Sequence, residues 1–371
     1  MEKRKLGNTG LQVTSLGFGG FHLLEIPASE ATELVNAYLD KGGNYIETAA
    51  TYGEGESERK IGLVMEKRRN ECVLVSKTPG RDAKGCRESV EQSLLNLRTD
   101  HLDVLLMHAV NSTDELNKIL APDGAFNEAL ILKKEGKINH IGLSMYGQPD
   151  VLIEALKRAP FEVVMATINY YDINNYPKLL NELVPLANEK GVGVILMKPL
   201  GDGLLWRSVD KAFEYALSLE VSVVVTGMNS MEMLEADMNI AETHKKLTTE
   251  QMQDIIDTAP ELGDYVCRQC GKCEGVCPKG IDFAGLFRLE GLFDRQMRTG
   301  KVNDTADFAL RDRLRFWFGA NEKAKQFYKS VEPKGNVCNE CGACNNVCPY
   351  KIDIQRKVNF ADYKLGQREI Y

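Results

Sequence analysis

The sequence predicts an α/β protein: a (β/α)8 barrel over residues 1–245, a helical linker over 246–263, and a cysteine-rich domain over 264–371. Three observations predict it. Short β-rich runs alternate with amphipathic stretches eight times in about 240 residues, the number and length of such a barrel. Alternation alone also allows a doubly wound open sheet, but no Gly-x-Gly-x-x-Gly turn follows the first run, which argues against a dinucleotide-binding fold of that kind. Finally, eight of the ten cysteines are confined to the tail. They form two runs, Cys267-x2-Cys270-x2-Cys273-x3-Cys277-Pro278 and Cys338-x2-Cys341-x2-Cys344-x3-Cys348-Pro349.

The strand candidates, in order, are Ser15–Gly19, Tyr45–Thr48, Val73–Ser76, Val104–Met107, Ile138–Leu143, Val163–Thr167, Val192–Met197 and Ser222–Val225. Each is a short apolar run, as strands buried on both faces require. The first helix is expected over Ser29–Lys41, with Ala31, Leu34, Val35, Tyr38 and Leu39 on one stripe. Ser29 and Glu30 supply its cap and first turn, and Gly42-Gly43 its stop. The same periodicity places helices at Glu56–Lys67, Lys84–Leu97, Asp114–Lys134, Val151–Lys157, Pro177–Lys190, Val209–Leu219 and Ser230–Ala241.

Barrels of this kind place their chemistry at the C-terminal ends of the strands. Here those ends carry Phe21 and His22, Glu47 and Tyr52, Lys77, His108, Ser144, Asn169 and Tyr170, Lys198, and Thr226-Gly227. A lone lysine or tyrosine at a strand end reads as structural. A tyrosine, a lysine, a histidine and a carboxylate on one rim read as a site.

The cysteine spacing is that of bacterial [4Fe–4S] proteins, in which the fourth, proline-flanked cysteine serves the other cube. One cluster is therefore assigned to Cys267, Cys270, Cys273 and Cys348, and the second to Cys338, Cys341, Cys344 and Cys277. Structural zinc favours separated cysteine pairs, and disulfide frameworks belong to small secreted chains. Cys72 and Cys86 read as buried or incidental thiols. Trp206, Phe316, Trp317 and Phe318 read as packing residues at loops and domain contacts.

Composition is that of an ordinary globular chain, 43% apolar and 27% charged. With no signal peptide and no apolar run of spanning length, the expected location is a reducing cytoplasm. The net charge of −7 is uneven: Asp264–Tyr371 holds 19 Lys and Arg against 14 Asp and Glu. That basic surplus offsets anionic clusters and needs no nucleic acid. Neither nucleic acid nor a membrane is an expected partner.

Lys5-Leu6-Gly7-Asn8-Thr9-Gly10-Leu11, Leu16-Gly17-Phe18-Gly19-Gly20 and Glu47-Thr48-Ala49-Ala50-Thr51-Tyr52-Gly53 resemble the opening of the aldo-keto reductases. Val75-Ser76-Lys77, Asp103–His108, Ile141-Gly142-Leu143-Ser144 and Lys198-Pro199-Leu200-Gly201 continue the resemblance in order. The tail, with helical-looking stretches between its cysteine runs, resembles an α-helical dicluster ferredoxin. The whole resembles the subgroup of aldo-keto reductases with a C-terminal 4Fe–4S domain. The resemblance implies carbonyl reduction with a nicotinamide hydride. Tyr52 would be the proton donor, Lys77 its activator, Glu47 the carboxylate that keeps Lys77 charged, and His108 the holder of the substrate oxygen.

It also implies cofactor contacts from Ser144, Asn169, Lys198, Gly227 and Ser230. The chain departs from the family in several places. Glu47 stands where Asp is usual, and Met145 and Met165 stand where Asn and Gln bind the carboxamide. No base follows the last strand to meet a 2′-phosphate, so NADH is favoured over NADPH, and a flavin is the alternative cofactor.

The leading expectation is an iron–sulfur oxidoreductase acting on a small carbonyl or related compound, with a redox partner protein as a further partner. Two alternatives stand beside it. One is a cluster-fed, flavin-linked reductase that uses no nicotinamide. The other is a non-catalytic electron-transfer or sensor protein.

Overall fold

The computed structural model describes residues 1–146, 149–203, 205–294 and 320–366. Phe316, Trp317 and Phe318 lie outside them. The described chain divides into two compact units. The first comprises Met1–Asn169, Lys178–Pro199 and Asp210–Leu247, and the second Tyr170–Pro177, Leu200–Val209 and Thr248–Tyr371.

A short antiparallel hairpin, β1 (Lys3–Lys5) and β2 (Gln12–Thr14), begins the first unit. The barrel strands are β3 (Leu16–Gly19), β4 (Tyr45–Glu47), β5 (Val73–Thr78), β6 (Leu102–Met107), β7 (Ile138–Met145), β8 (Val163–Thr167), β9 (Gly193–Met197) and β10 (Val223–Gly227). All pair in parallel in sequence order, and β10 returns to β3 to close an eight-stranded barrel. Closure leaves no edge among the eight barrel strands.

Alternate residues of each strand face inward. Tyr45, Val73, Val75, Val104, Leu106, Val163, Met165, Ile195, Met197, Val223 and Val225 fill the interior, with Leu6 and Val13 of the hairpin region in the same cluster. Tyr45 needs room across the barrel, and Gly17 supplies it. A Cβ at Gly17 would stand 2.6 Å from the Tyr45 ring and 2.9 Å from Val223.

The helices around the barrel include α1 (Ala28–Asp40), α2 (Glu56–Arg68) and α3 (Ala83–Leu97). The α1 helix starts one residue ahead of Ser29, with Pro27 at its cap and no side-chain hydrogen bond there. Ser29 is therefore not the cap. The expected helix Asp114–Lys134 is two, α4 (Thr113–Ile119) and α5 (Ala125–Lys134). Pro122 lacks the amide hydrogen a continuous helix would use.

The α6 helix (Asp150–Arg158) follows β7. The stretch expected at Pro177–Lys190 begins with a π-turn, Leu179–Leu183, and continues as α7 (Val184–Glu189). The remaining two barrel helices are α8 (Val209–Ser218) and α9 (Met231–Thr243).

The second unit contains α10 (Thr249–Thr258), which starts at a capping box of Thr248 and Gln251. Then come α11 (Phe283–Asp294), α12 (Ala320–Tyr328) and α13 (Ile354–Gly366). Its apolar core includes Phe283, Leu286, Phe287, Tyr328, Ile352, Ile354 and Val358, with Cys344 buried among them. Trp206 belongs to this unit and is 64% exposed, with Arg207 against its ring, so it is not a packing residue. Among the described residues no helix is long and apolar enough to cross a membrane.

Candidate active site

Inward alternation on β5 runs Val73, Val75, Lys77, and on β4 it runs Tyr45, Glu47. The β4–β5 register sets Glu47 opposite Val75. Lys77 thus stands one step nearer the C-terminal rim, within reach of Glu47. Both side chains are buried, and the Lys77 ammonium is paired with the Glu47 carboxylate. The same Nζ donates to Thr48 O at 2.8 Å and to Tyr52 Oη at 3.1 Å. Tyr52 reaches it because the segment after β4 is tied to β5: Thr48 N donates to Val75 O and Ala50 N to Lys77 O.

Burial lowers the Lys77 pKa against the opposing pull of Glu47, and burial raises that of Glu47 against the pull of Lys77. Desolvation therefore moves the two toward each other, which makes Lys77 a readier partner for proton exchange with the phenol. A second carboxylate, Glu58 of α2, also acts on Lys77. It is fully buried and accepts from Ser76 Oγ at 2.6 Å and Asn96 Nδ2 at 3.1 Å.

His108 lies just beyond β6, its ring 5.9 Å from that of Tyr52. Its Nδ1 pairs with Thr51 Oγ1 at 3.1 Å and its Nε2 with Tyr146 Oη at 3.3 Å. Burial, with Lys77 and Arg81 nearby, pulls its pKa down to about 3. The imidazole is therefore neutral at pH 7 and has one N–H to donate. Phe21 completes a row of rings, edge-on to Tyr52 at 5.0 Å. Tyr146 carries the Lys198 ammonium 5.0 Å from its ring centroid.

The depressed His108 pKa carries a stability prediction. As pH falls, the unfolded chain, with an ordinary imidazole, takes up the proton first. The His108 contribution is whole above about pH 6.5 and is lost as pH falls from there toward 3, at about 1.4 kcal/mol per pH unit. Denaturant unfolding between pH 4 and 7 should show a shallower decline for His108→Gln than for the wild type. Equal slopes would count against the depressed pKa.

The other expected contact residues are placed as follows. Ser144 Oγ accepts from Ala109 N at 3.0 Å and lies 3.5 Å from Met107 O, so it is engaged by the adjoining strand. Asn169 Nδ2 donates to Lys198 O at 3.1 Å. Lys198 has a left-handed backbone, φ +60°. Gly227 faces His22, whose ring would lie 2.0 Å from a Cβ there. Ser230 caps α9 through Met233 N at 3.2 Å. Met145 and Met165 are both buried, Met165 within the barrel interior.

Sequence reading missed Thr51, Tyr146 and Glu58. Tyr146 had a signal, since it directly follows the β7 terminus. Glu58 had none, because it reads as one more charge on a surface helix.

In the second unit, Cys267, Cys270, Cys273 and Cys348 line one cavity, with Ala284, Phe287, Ile352 and Ile354 as its apolar wall. Gln269 N donates to Cys267 Sγ at 3.4 Å. Burial pushes the Cys273 thiol up to about 11, helped by Cys267, Cys270 and Cys348. Burial also raises the Cys344 thiol, with Cys338, Cys341 and Cys277 adding to the rise. Cys267, Cys270, Cys273 and Cys348 thus share one cavity drawn from both sequence runs, and Cys277 and Cys338 pack against the core that buries Cys344. Among the described residues no three His, Cys, Asp or Glu side chains converge on a single-ion site. A four-iron cube holds its thiolates at separate corners, more widely than one ion does. Cys72 and Cys86 are buried, and burial pushes both thiols up to about 12.

The aldo/keto reductase family model matches residues 15–214. An L-galactose dehydrogenase of Arabidopsis thaliana is 30% identical over 288 residues, covering 64% of this chain and 87% of its own. An oxidoreductase of Bacillus subtilis (strain 168), YqkF, is 27% identical over 260 residues, covering 65% and 81%. Among solved structures, an aldo-keto reductase of Bacillus halodurans in its holo form superposes with a TM-score of 0.59 at 27% identity. That match covers 69% of this chain and 95% of the other.

Proposed function

This chain belongs to the aldo/keto reductase family, and we propose that it is an iron–sulfur oxidoreductase reducing a small carbonyl compound with hydride from NAD(P)H and a proton from Tyr52. The observation that carries the reading is the buried contact of Lys77 Nζ with both Glu47 and Tyr52 Oη, with His108 beside it. Hydride arriving at a carbonyl carbon leaves negative charge on its oxygen. Tyr52 gives that oxygen its proton. Lys77, held by Glu47, favours the phenolate left behind. His108, neutral, has one N–H, which leaves its partner in the resting site to donate to the same oxygen, a donor placed where charge develops.

The cysteine-rich tail is proposed to be an α-helical dicluster ferredoxin domain. Cys267, Cys270, Cys273 and Cys348 would hold one [4Fe–4S] cluster, and Cys277, Cys338, Cys341 and Cys344 the other. The thiol donor sets and their apolar surroundings suit that group. Bound there, the clusters supply one-electron transfer. A redox partner protein would exchange those electrons, and the reduced thiols suit a cytoplasmic setting.

One observation favours a second reading. Met145 and Met165 offer no hydrogen bond to a carboxamide, and the Ser144 hydroxyl is already engaged. A buried polar group left unpaired costs about 1–3 kcal/mol. Nicotinamide binding should therefore be weak, with no gain for NADPH over NADH. A cluster-fed, flavin-linked route to the same site would follow if it is absent.

The test is an anaerobic preparation assayed for iron, sulfide and flavin, with NADH and NADPH titrated and their oxidation followed on a panel of aldehydes and ketones. Carbonyl-dependent oxidation of either supports the first reading. Flavin content with no nicotinamide binding supports the second. Met165→Gln should tighten NADH binding, by roughly 5-fold or more if one such hydrogen bond is restored. An unchanged or weaker Kd would remove Met165 from the cofactor site.

A further inference from the structure

We propose that Lys357 and Arg268 make the site of Cys267, Cys270, Cys273 and Cys348 the more easily reduced of the two iron–sulfur sites. The inference rests on the iron–sulfur reading above and deepens it, by giving the two sites unequal potentials.

Lys357 projects from α13 and is buried, as is its partner Glu290 of α11. The two form an ion pair at 2.6 Å. Glu290 also accepts from Tyr265 Oη at 2.7 Å and pairs with Lys364 at 3.2 Å. One carboxylate is thus shared by two ammonium groups, and the trio carries a net positive charge. The Lys357 Nζ lies 3.5 Å from the Tyr265 ring centroid and 5.1 Å from that of Phe287. Phe287 is part of the wall of the cavity ringed by the first four cysteines.

Arg268 lines the same cavity directly. Its guanidinium is fixed by the carbonyls of Gly263 at 2.5 Å and Val266 at 2.8 Å, and it packs 4.6 Å from the Tyr350 ring centroid. Acids on that side include Asp257, which accepts from Tyr350 Oη at 2.8 Å, and Glu274, whose Oε1 would stand 3.3 Å from a Cβ on the cavity-lining Gly271.

The second site is built differently. Beside Cys344 lies the neutral amide of Asn345, its Oδ1 3.8 Å from the sulfur. The Asn345 Nδ2 donates to the carboxylate of Asp353 at 2.9 Å. One-electron reduction adds a negative charge to a site. Fixed cations in a low-dielectric wall favour that form, and anions disfavour it.

The plain alternative is that Lys357 and Glu290 merely tie α11 to α13, and the two can be told apart. The full chain is prepared anaerobically, its iron and sulfide counted, and its reduction followed by EPR-monitored potentiometry. The wild type should show two separate one-electron waves. Lys357→Met should lower the higher wave alone, by roughly tenfold in the reduction equilibrium, about 59 mV for one electron. Glu290→Gln should raise that same wave, which a structural tie would not do. Arg268→Gln should lower it independently, and serves if Lys357→Met fails to retain iron.

A single shared potential with both sites loaded would overturn the inference. So would a higher wave unmoved by the variants, or one moved the same way by Lys357→Met and Glu290→Gln. Full iron with unmoved potentials leaves the iron–sulfur reading standing. A chain that binds no iron removes both.

Discussion

Replacing Tyr52 with phenylalanine should lower kcat for carbonyl reduction by about 100-fold or more while leaving KM nearly unchanged. The ring's contacts survive the change: the edge-on packing against Phe21 at 5.0 Å and the approach of His108 at 5.9 Å use carbon atoms. What disappears is the hydroxyl 3.1 Å from the Lys77 ammonium, and with it the proton. An interaction made only as charge develops on the substrate oxygen shows in kcat and in kcat/KM alike. Lys77→Met should produce a loss of similar order, and the double variant should lose little more than either single one, because the two groups act as a unit. Additive losses would mean that Lys77 works on the substrate without Tyr52. Wild-type kcat in Tyr52→Phe would take the proton donor away from this residue altogether.

The barrel was largely legible because strands buried on both faces leave short apolar runs, and eight of them stand at regular spacing. The hairpin β1–β2 was not. Its first strand is Lys3-Arg4-Lys5, three charged residues with neither alternation nor apolar content to mark them. The division of α4 from α5 had a cue in Pro122, which the apolar periodicity of the flanking turns masked.

The rim residues Glu47, Tyr52, Lys77 and His108 were legible as a set because each lies at a strand end, and the structure brings them together. The partners of His108 were not, since Thr51 and Tyr146 meet it from two different βα loops, 57 and 38 residues away in sequence. Glu58 shows the general difficulty. A carboxylate on a charged helix reads as solvated, and only the fold shows Ser76 and Asn96 enclosing it. The opposite error occurred at Trp206, where a large apolar ring suggested packing but stands in solvent.

The expected result with the largest consequence for composition concerns the two proline-flanked cysteines. If each serves the cube of the other run, Cys348→Ala should damage the site of Cys267, Cys270 and Cys273, some 80 residues upstream, and spare the cysteines beside it. The geometry supports that exchange. Cys348 shares a cavity with the first three cysteines, and Cys277 packs with Cys338 against the core that buries Cys344. Two intact cubes correspond to about eight irons and eight sulfides per chain. Cys348→Ala and Cys277→Ala should each fall toward about half that content, losing different clusters.

Pairing the variants identifies which cluster is lost. Cys348→Ala combined with Cys270→Ala should be no poorer in iron than either alone, because both strike one site. Cys348→Ala combined with Cys341→Ala should lose nearly all of it. The reverse pattern would mean that each run serves its own cube. Because α11 and α13 are joined through Glu290 and Lys357, the variants should also be compared by circular dichroism. Loss of iron with unchanged helix content isolates ligation from folding, and iron at wild-type levels in Cys348→Ala would exclude that cysteine from the ligand set.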